Sequence, residues 1–262
     1  MMNSLWGDDF KVEDTPQVAK KIVKKINNPK GVSKTRGSKK VTVPLEEQMR
    51  AIRAEVYRIL GKYKDNTVVI KTRAQLRDYI SKSISNGIIA IDTETNNSLD
   101  PITCKLMGPC IYTPGEKNAY IPINHINPNT RERLEWQLTE QDIYEEFERL
   151  TDTPIIMHNG KFDYQVIKCT TGNCLKVYWD TMLATRILNE NEKRAGLKEQ
   201  YIDKIDSSIE KYDIEHLFKG LEYAIFEPEL FALYAATDAY MTYKLYIWQK
   251  KQFDRVEHQK LL

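Results

Sequence analysis

Gly87-Ile88-Ile89-Ala90-Ile91-Asp92-Thr93-Glu94-Thr95 is the stretch from which the rest of the chain can be read. Gly87 opens a short apolar run, Ile88 to Ile91, with the length and β-branched content of a buried strand. The run ends in two acids separated by one residue. Side chains alternate along a strand, so Asp92 and Glu94 leave on the same face. Two carboxylates held that close repel unless cations or protons compensate them. An oxygen-rich pair of this sort suits Mg²⁺ or Mn²⁺. An ordinary strand ending in a solvated acidic turn has the same pattern, so the pair takes its meaning from the rest of the chain.

Two further segments supply it. Pro154-Ile-Ile-Met-His158 reads as a second strand, ended by Asn159-Gly160. The residues from Phe162 onward suit a helix with Asp163 in its first turn, where the helix dipole favours a carboxylate. His158 reads as a strand-end histidine. Pro228 through Trp248 has good helix formers with apolar residues three and four apart, and Pro228 suits a helix start. Tyr234 and Asp238 lie one turn apart on one face of that helix. A phenol so placed either forms a satisfied Tyr–Asp hydrogen bond or orients a water at a metal.

In this order and spacing, the three segments resemble the exonuclease motifs of the DEDD superfamily of 3′–5′ exonucleases. The resemblance is closest to the proofreading domain of family A DNA polymerases, the bacterial DNA polymerase I type. The Asp-x-Glu motif falls on Asp92 and Glu94, and Asn-x-x-x-Asp on Asn159 and Asp163. Tyr-x-x-x-Asp falls on Tyr234 and Asp238, as in the tyrosine subclass. Ala119-Tyr-Ile-Pro-Ile-Asn-His125 looks like the family's strand after the first motif. Asp180-Thr-Met-Leu-Ala-Thr-Arg-Ile-Leu-Asn189 looks like its helix before the third. The likeness covers roughly residues 66–250.

The resemblance implies an α/β chain with a ribonuclease H-like fold, a mixed central sheet flanked by helices. It implies two divalent cations, Mg²⁺ or Mn²⁺, one held by Asp92, Glu94 and Asp238. The other shares Asp92 and meets Asp163 largely through water. Tyr234 then orients the attacking water, and Thr95, Leu99 and Asn159 are the implied substrate contacts. The implied reaction hydrolyses the terminal phosphodiester of single-stranded or frayed DNA 3′ ends and releases nucleoside 5′-monophosphates. DNA 3′ ends are the expected partner, with a DNA polymerase or other replication protein beside them. Tyr240, Tyr243 and Tyr246, on the same helix, are read as packing. Two rivals remain, an RNA-trimming exonuclease of the RNase D kind and a non-catalytic nucleic-acid-binding module. The connecting text favours the polymerase type, and retention of all four acids and Tyr234 favours catalysis.

Composition frames these expectations. At 41% apolar and 29% charged, the 262 residues have the make-up of an ordinary globular chain. No run approaches a membrane span and the N-terminus has no signal-peptide core, so a cytoplasmic protein is expected. Cys104, Cys110, Cys169 and Cys174 lack paired zinc spacing and read as reduced thiols. The Lys-, Ile- and Asn-leaning composition would suit an AT-rich genome such as a phage's. Beyond the third motif only residues to Leu262 follow, so no polymerase activity is expected in this polypeptide.

Three regions are expected: a basic arm over 1–43, a leading helix and linker over 44–65, and the exonuclease domain over 66–262. Residues 45–60 are amphipathic at helical spacing and are expected to pack on the domain. Strands are expected at 67–70, 105–112, 119–123 and 154–158. Thr72 with Gln75, and Thr139 with Asp142, read as capping boxes opening helices to about 85 and 150. Further helices are expected at 162–169, 180–189, 195–203 and 229–250.

Residues 16–43 carry nine Lys and Arg and no Asp or Glu, leaving −7 on the rest of a chain whose net charge is +2. Its stretch from Asn27 to Lys40, with Pro, Gly, Ser and Lys, reads as loosely held, so the segment is either a linker or an arm that lies along a phosphate backbone. In the second case, deleting residues 1–43 weakens DNA binding and flattens its salt dependence by about 0.7 log units per lost single-strand phosphate contact. Oligonucleotide titrations across a salt series check this, and unchanged low-salt affinity leaves only the linker.

Overall fold

The computed structural model describes residues 44–96, 98, 100–207, 218 and 221–260. The basic arm 1–43 and Leu99 lie outside the described residues. The chain divides into two units, Met1–Lys62 with Asp213–Leu221, and Tyr63–Tyr212 with Glu222–Leu262. In the first, helix α1 (Leu45–Leu60) buries Met49, Ile52, Val56 and Leu60 along one face, the expected amphipathic pattern.

In the second unit, Thr72 opens helix α2 (Arg73–Asn86) with a reciprocal capping box. Its hydroxyl accepts the Gln75 N–H at 3.2 Å, and Gln75 Oε1 accepts the Thr72 N–H at 3.1 Å. Gly87 ends the helix at φ 69°, a left-handed turn that suits a residue without a Cβ. Thr139 and Asp142 form the second expected box at the start of α3 (Glu140–Phe147).

Strands β1 (Thr67–Val69), β2 (Ile89–Thr95), β3 (Leu106–Tyr112), β4 (Asn118–Tyr120), β5 (Ile155–Met157) and β6 (Val177–Asp180) form one sheet. Its order is β1-β4-β3-β2-β5-β6. β3 runs antiparallel to both neighbours and every other pair is parallel. β2 is therefore an interior strand, paired with β3 from Ala90 to Thr95 and with β5 at Ile89 and Ala90.

The two faces of the sheet are covered differently. Ile89, Ile91, Ile111, Ile155 and Met157 pack with Leu76 and Ile80 of α2, Ile143 and Phe147 of α3, and Val166 and Ile167 of α4 (Gly160–Thr171). Each such side chain contributes about 1.5–3 kcal/mol by leaving water. The other face is crossed by the long helix α7 (Pro228–Lys260), which follows α5 (Thr181–Leu188) and α6 (Leu197–Lys204). Tyr112 meets Tyr240 and Tyr243 there, Tyr120 meets Phe231, and Trp179 meets Tyr246 and Phe253. The tyrosines of this helix pack as expected.

Some boundaries move for physical reasons. The strand expected over 119–123 is regular only to Tyr120, because Pro122 has no N–H for the ladder. Ile121 and Ile123 still donate to Pro109 O and Met107 O of β3 at 2.9 and 3.0 Å. α4 starts at Gly160 rather than 162, and α7 runs to Lys260 rather than 250. β6 was not expected from the sequence. The four described cysteines are free. Among the described residues no helix is long and apolar enough to cross a membrane.

Buried polar ties seat α7. Tyr120 donates its hydroxyl to His125 Nε2 at 2.7 Å, and His125 Nδ1–H donates to Phe226 O at 2.8 Å, two residues before the helix. A carbonyl can only accept, so Nδ1 carries a proton, and in the neutral ring Nε2 is the acceptor for Tyr120. Further along, Trp179 Nε1–H donates to Gln249 Oε1 at 3.0 Å, and Gln249 Nε2 donates to Thr181 O at 2.7 Å.

Burial holds His125 neutral and pushes its pKa down to about 4, and burial does the same to His158. Between pH 6.5 and 4 the unfolded chain takes up protons that the folded chain refuses. The histidines' contribution to stability is therefore full above the unfolded value and is lost on acidification through that window, by about 3 kcal/mol per histidine at most. The carboxyls of Asp92 and Asp163, raised by burial above their usual range, act in the opposite direction over the same window. The check is therefore the difference in denaturant midpoint between wild type and His125→Gln from pH 7 to pH 4, and a pH-independent difference contradicts it.

Candidate active site

β2 carries Asp92 and Glu94 on the face that α7 covers, with Cys110 directly across from Asp92 and Gly108 across from Glu94. A Cβ at Gly108 would sit 2.2 Å from Ile121 O, so glycine is required for β3 to lie this close to the chain after β4. Ligand atoms of Asp92, Glu94 and Cys110 lie within 4.8 Å of one another. Glu94 is buried, while Asp92 keeps part of its surface open to solvent although protein encloses it on most sides.

Asp163 reaches this place from α4. Asn159 takes a left-handed turn, φ 59°, and helix α4 begins at once. The carboxylate of Asp180, at the end of β6, holds that start. It accepts the N–H groups of Asn159 and Gly160 at 3.2 and 2.8 Å, and caps α5 by accepting those of Met182 and Leu183 at 2.8 and 3.2 Å. Asp163 then accepts the Thr93 N–H at 3.0 Å and the Thr93 hydroxyl at 2.6 Å. Thr93 sits between Asp92 and Glu94, so one residue ties the second motif to the first.

Asp238 and Tyr234 come from α7, where Ala235, Ala236 and Ala239 are fully buried and keep the helix close to the sheet. Lys198, in the first turn of α6, places Nζ 3.4 Å from Asp238 Oδ2 and 4.7 Å from the centre of the Tyr234 ring.

The electrostatics bind these groups into one site. Burial first, then the charges of Asp163, Asp238 and Glu94, push the Asp92 carboxyl well above the usual carboxylate range, and Lys198 opposes them. Burial likewise raises Asp163, against the pull of its Thr93 hydrogen bonds. Burial and the same four carboxylates raise the Cys110 thiol. Charge of one sign crowded on oxygen donors is what a hard divalent cation relieves. The four acids thus fit the cations that the resemblance implies.

The sequence-based residues converge: Asp92, Glu94, Asp163 and Asp238 act on one another, and Tyr234 shares Lys198 with Asp238. Thr95 is half-buried and its hydroxyl donates to Ser98 O at 3.3 Å, while Asn159 is exposed. His158 is a structural histidine, its Nδ1 2.8 Å from Thr181 Oγ1. Sequence reasoning passed over Thr93, Asp180 and Lys198. Thr93 lay inside the quoted motif, and Asp180 began the quoted helix text. Lys198 had no local mark.

The comparisons with known proteins concern the family and the fold. The family model for the exonuclease domain of family A DNA polymerases, described as 3′-5′ exonuclease, matches residues 67–251. DNA polymerase I of Borreliella burgdorferi is 30% identical over 199 residues, 72% of this chain and 21% of that protein. DNA polymerase I of Treponema pallidum is 25% identical over 249 residues, 81% of this chain and 24% of the relative. The chain therefore spans about a fifth to a quarter of the length of these polymerases, and both are bacterial rather than phage proteins. Among solved structures, Trypanosoma brucei RNase D in complex with RNA U12 superposes with a TM-score of 0.57 at 12% identity, over 76% of this chain and 66% of that one. Shared fold is all that such a likeness carries. A mixed sheet with one antiparallel strand, acids on its interior strand and a family match across most of its length make this chain a member of the 3′–5′ exonuclease family of DNA polymerase I type, with a ribonuclease H-like fold.

Proposed function

We propose that the chain is a metal-dependent exonuclease of the tyrosine subclass that shortens single-stranded or frayed DNA from the 3′ end, as the proofreading part of, or companion to, a family A DNA polymerase. The observation that carries this reading is the convergence of Asp92, Glu94, Asp163 and Asp238, from three segments, on one crowded acidic site beside Tyr234. When bound, two divalent cations (Mg²⁺ or Mn²⁺) supply Lewis acidity and charge neutralisation, with Asp92, Glu94 and Asp238 to hold one and Asp92 and Asp163 the other.

The chain's own residues do the rest. Tyr234 orients the attacking water toward the terminal phosphorus. The water oxygen gives up a proton to solvent as it bonds to phosphorus, the P–O3′ bond breaks, and the freed O3′ takes up a proton. A nucleoside 5′-monophosphate leaves. Thr93 keeps Asp163 in place, and Asp180 fixes the helix that delivers it. Thr95, Leu99 and Asn159 are assigned to the last nucleotides of the substrate. The relatives are bacterial polymerases, and a bacterial cytoplasm fits that assignment.

A 5′-labelled DNA oligonucleotide with Mg²⁺ tests the reaction. Wild type yields a ladder of 3′-shortened products, and Asp92→Ala/Glu94→Ala or EDTA abolishes it. Intact DNA with the wild type removes the proposal in favour of a binding module. Faster trimming of the matching RNA strand reassigns the substrate to RNA. A second test concerns the support of Asp163. Thr93→Val keeps the side-chain shape but loses the 2.6 Å bond to a buried carboxylate. Stability is expected to fall by about 1.5–3 kcal/mol, with turnover reduced at least about tenfold, a change worth about 1.4 kcal/mol in the barrier. Denaturant melts and single-turnover rates check both, and a wild-type rate would separate Asp163 from Thr93.

A further inference from the structure

Lys198 stands where local preference does not put a cation. It is the second residue of α6, and the N-terminal turn of a helix opposes positive charge. What compensates is tertiary: Asp238 Oδ2 at 3.4 Å, the Tyr234 ring at 4.7 Å, and a field that reaches Asp92. The contact with Asp238 is long beside the 2.7–2.9 Å of a strong charge-assisted hydrogen bond. The pairing with Asp238 is thus mainly Coulombic, on a flexible four-carbon stem, and such a group can change partner.

The charge balance of the reaction indicates the other partner. Four carboxylates and the phosphodiester under attack carry five negative charges, and two divalent cations return four. Lys198 is the fifth positive charge. With Asp238 engaged by a metal ion, the ammonium's claim on that carboxylate weakens, and the phosphate under attack is an anion brought to the same site.

We propose that Lys198 is a phosphate-binding residue of the catalytic site, paired with Asp238 until metal binding releases it to the terminal phosphodiester of a nucleic-acid 3′ end. The inference rests on the metal-dependent exonuclease reading. Two consequences follow without reference to turnover. Lys198 competes with the divalent ion for Asp238, so its removal tightens metal binding. Lys198 also neutralises one phosphate, so its removal weakens nucleic-acid binding and its salt dependence.

The test uses the full chain as wild type, Lys198→Met and Lys198→Arg. Mn²⁺ is titrated calorimetrically without nucleic acid, and a labelled oligothymidylate is titrated in Ca²⁺ over a salt series. Lys198→Met is expected to bind Mn²⁺ about threefold or more tightly, the scale of one partly exposed ion pair. It is expected to bind the oligonucleotide more weakly, with a salt slope shallower by about 0.7, while Lys198→Arg keeps the wild-type slope. Unchanged or weaker Mn²⁺ affinity overturns the competition with metal. An unchanged salt slope overturns the phosphate contact. If Lys198→Met does not fold, Lys198→Gln takes its place in both titrations under the same criteria. Wild-type protein that trims no DNA yet shows both shifts would refute the exonuclease reading alone. Active wild type with flat titrations would refute only the role of Lys198.

Discussion

Like charges gathered at one place repel, and the acids of this site are gathered from three segments that lie far apart in sequence. Asp92 bears the cost most visibly, its carboxyl pushed upward by burial and by Asp163, Asp238 and Glu94 together. Such an arrangement survives only if the scaffold holds each acid independently of the others. β2 does so for Asp92 and Glu94, since β3 pairs with it along this stretch, β5 pairs with its start at Ile89 and Ala90, and its apolar residues are buried. The scaffold contributes the energy, and the acids spend part of it.

The other two acids depend on polar contacts more than on apolar burial. Asp163 is tied to β2 by both donors of Thr93, and its helix is started by the carboxylate of Asp180. Asp180 serves two helices at once, so β6, a short edge strand, governs the orientation of the second motif. Asp238 depends on α7, which is seated at one end by the Tyr120–His125–Phe226 chain and farther along by Gln249. These buried groups are satisfied, so they fix a unique seating that apolar packing alone would leave looser.

How much of this was legible follows from which forces are local. The two capping boxes were readable because both partners lie three residues apart. The alternation that puts Asp92 and Glu94 on one face was readable because strand geometry has a period of two. β6 was not readable. Val177-Tyr-Trp-Asp180 is short and has no alternating burial, and only its pairing with β5 makes it a strand. The true extent of α7 was missed because its later turns are polar, and the contacts of Trp179 with Phe253 and Gln249 are nonlocal.

By itself, then, the sequence determined the α/β class, the three motifs and the identity of the acids, since each is a local pattern of residue type and spacing. Tertiary structure alone decided that Thr93 would anchor Asp163, that Asp180 would bridge two helices, and that Lys198 would stand among the acids. Those outcomes rest on contacts between residues 20 to 70 positions apart. Coulomb attraction and hydrogen bonding act through space, and residue spacing along a chain says nothing about distance until the sheet and its helices have formed.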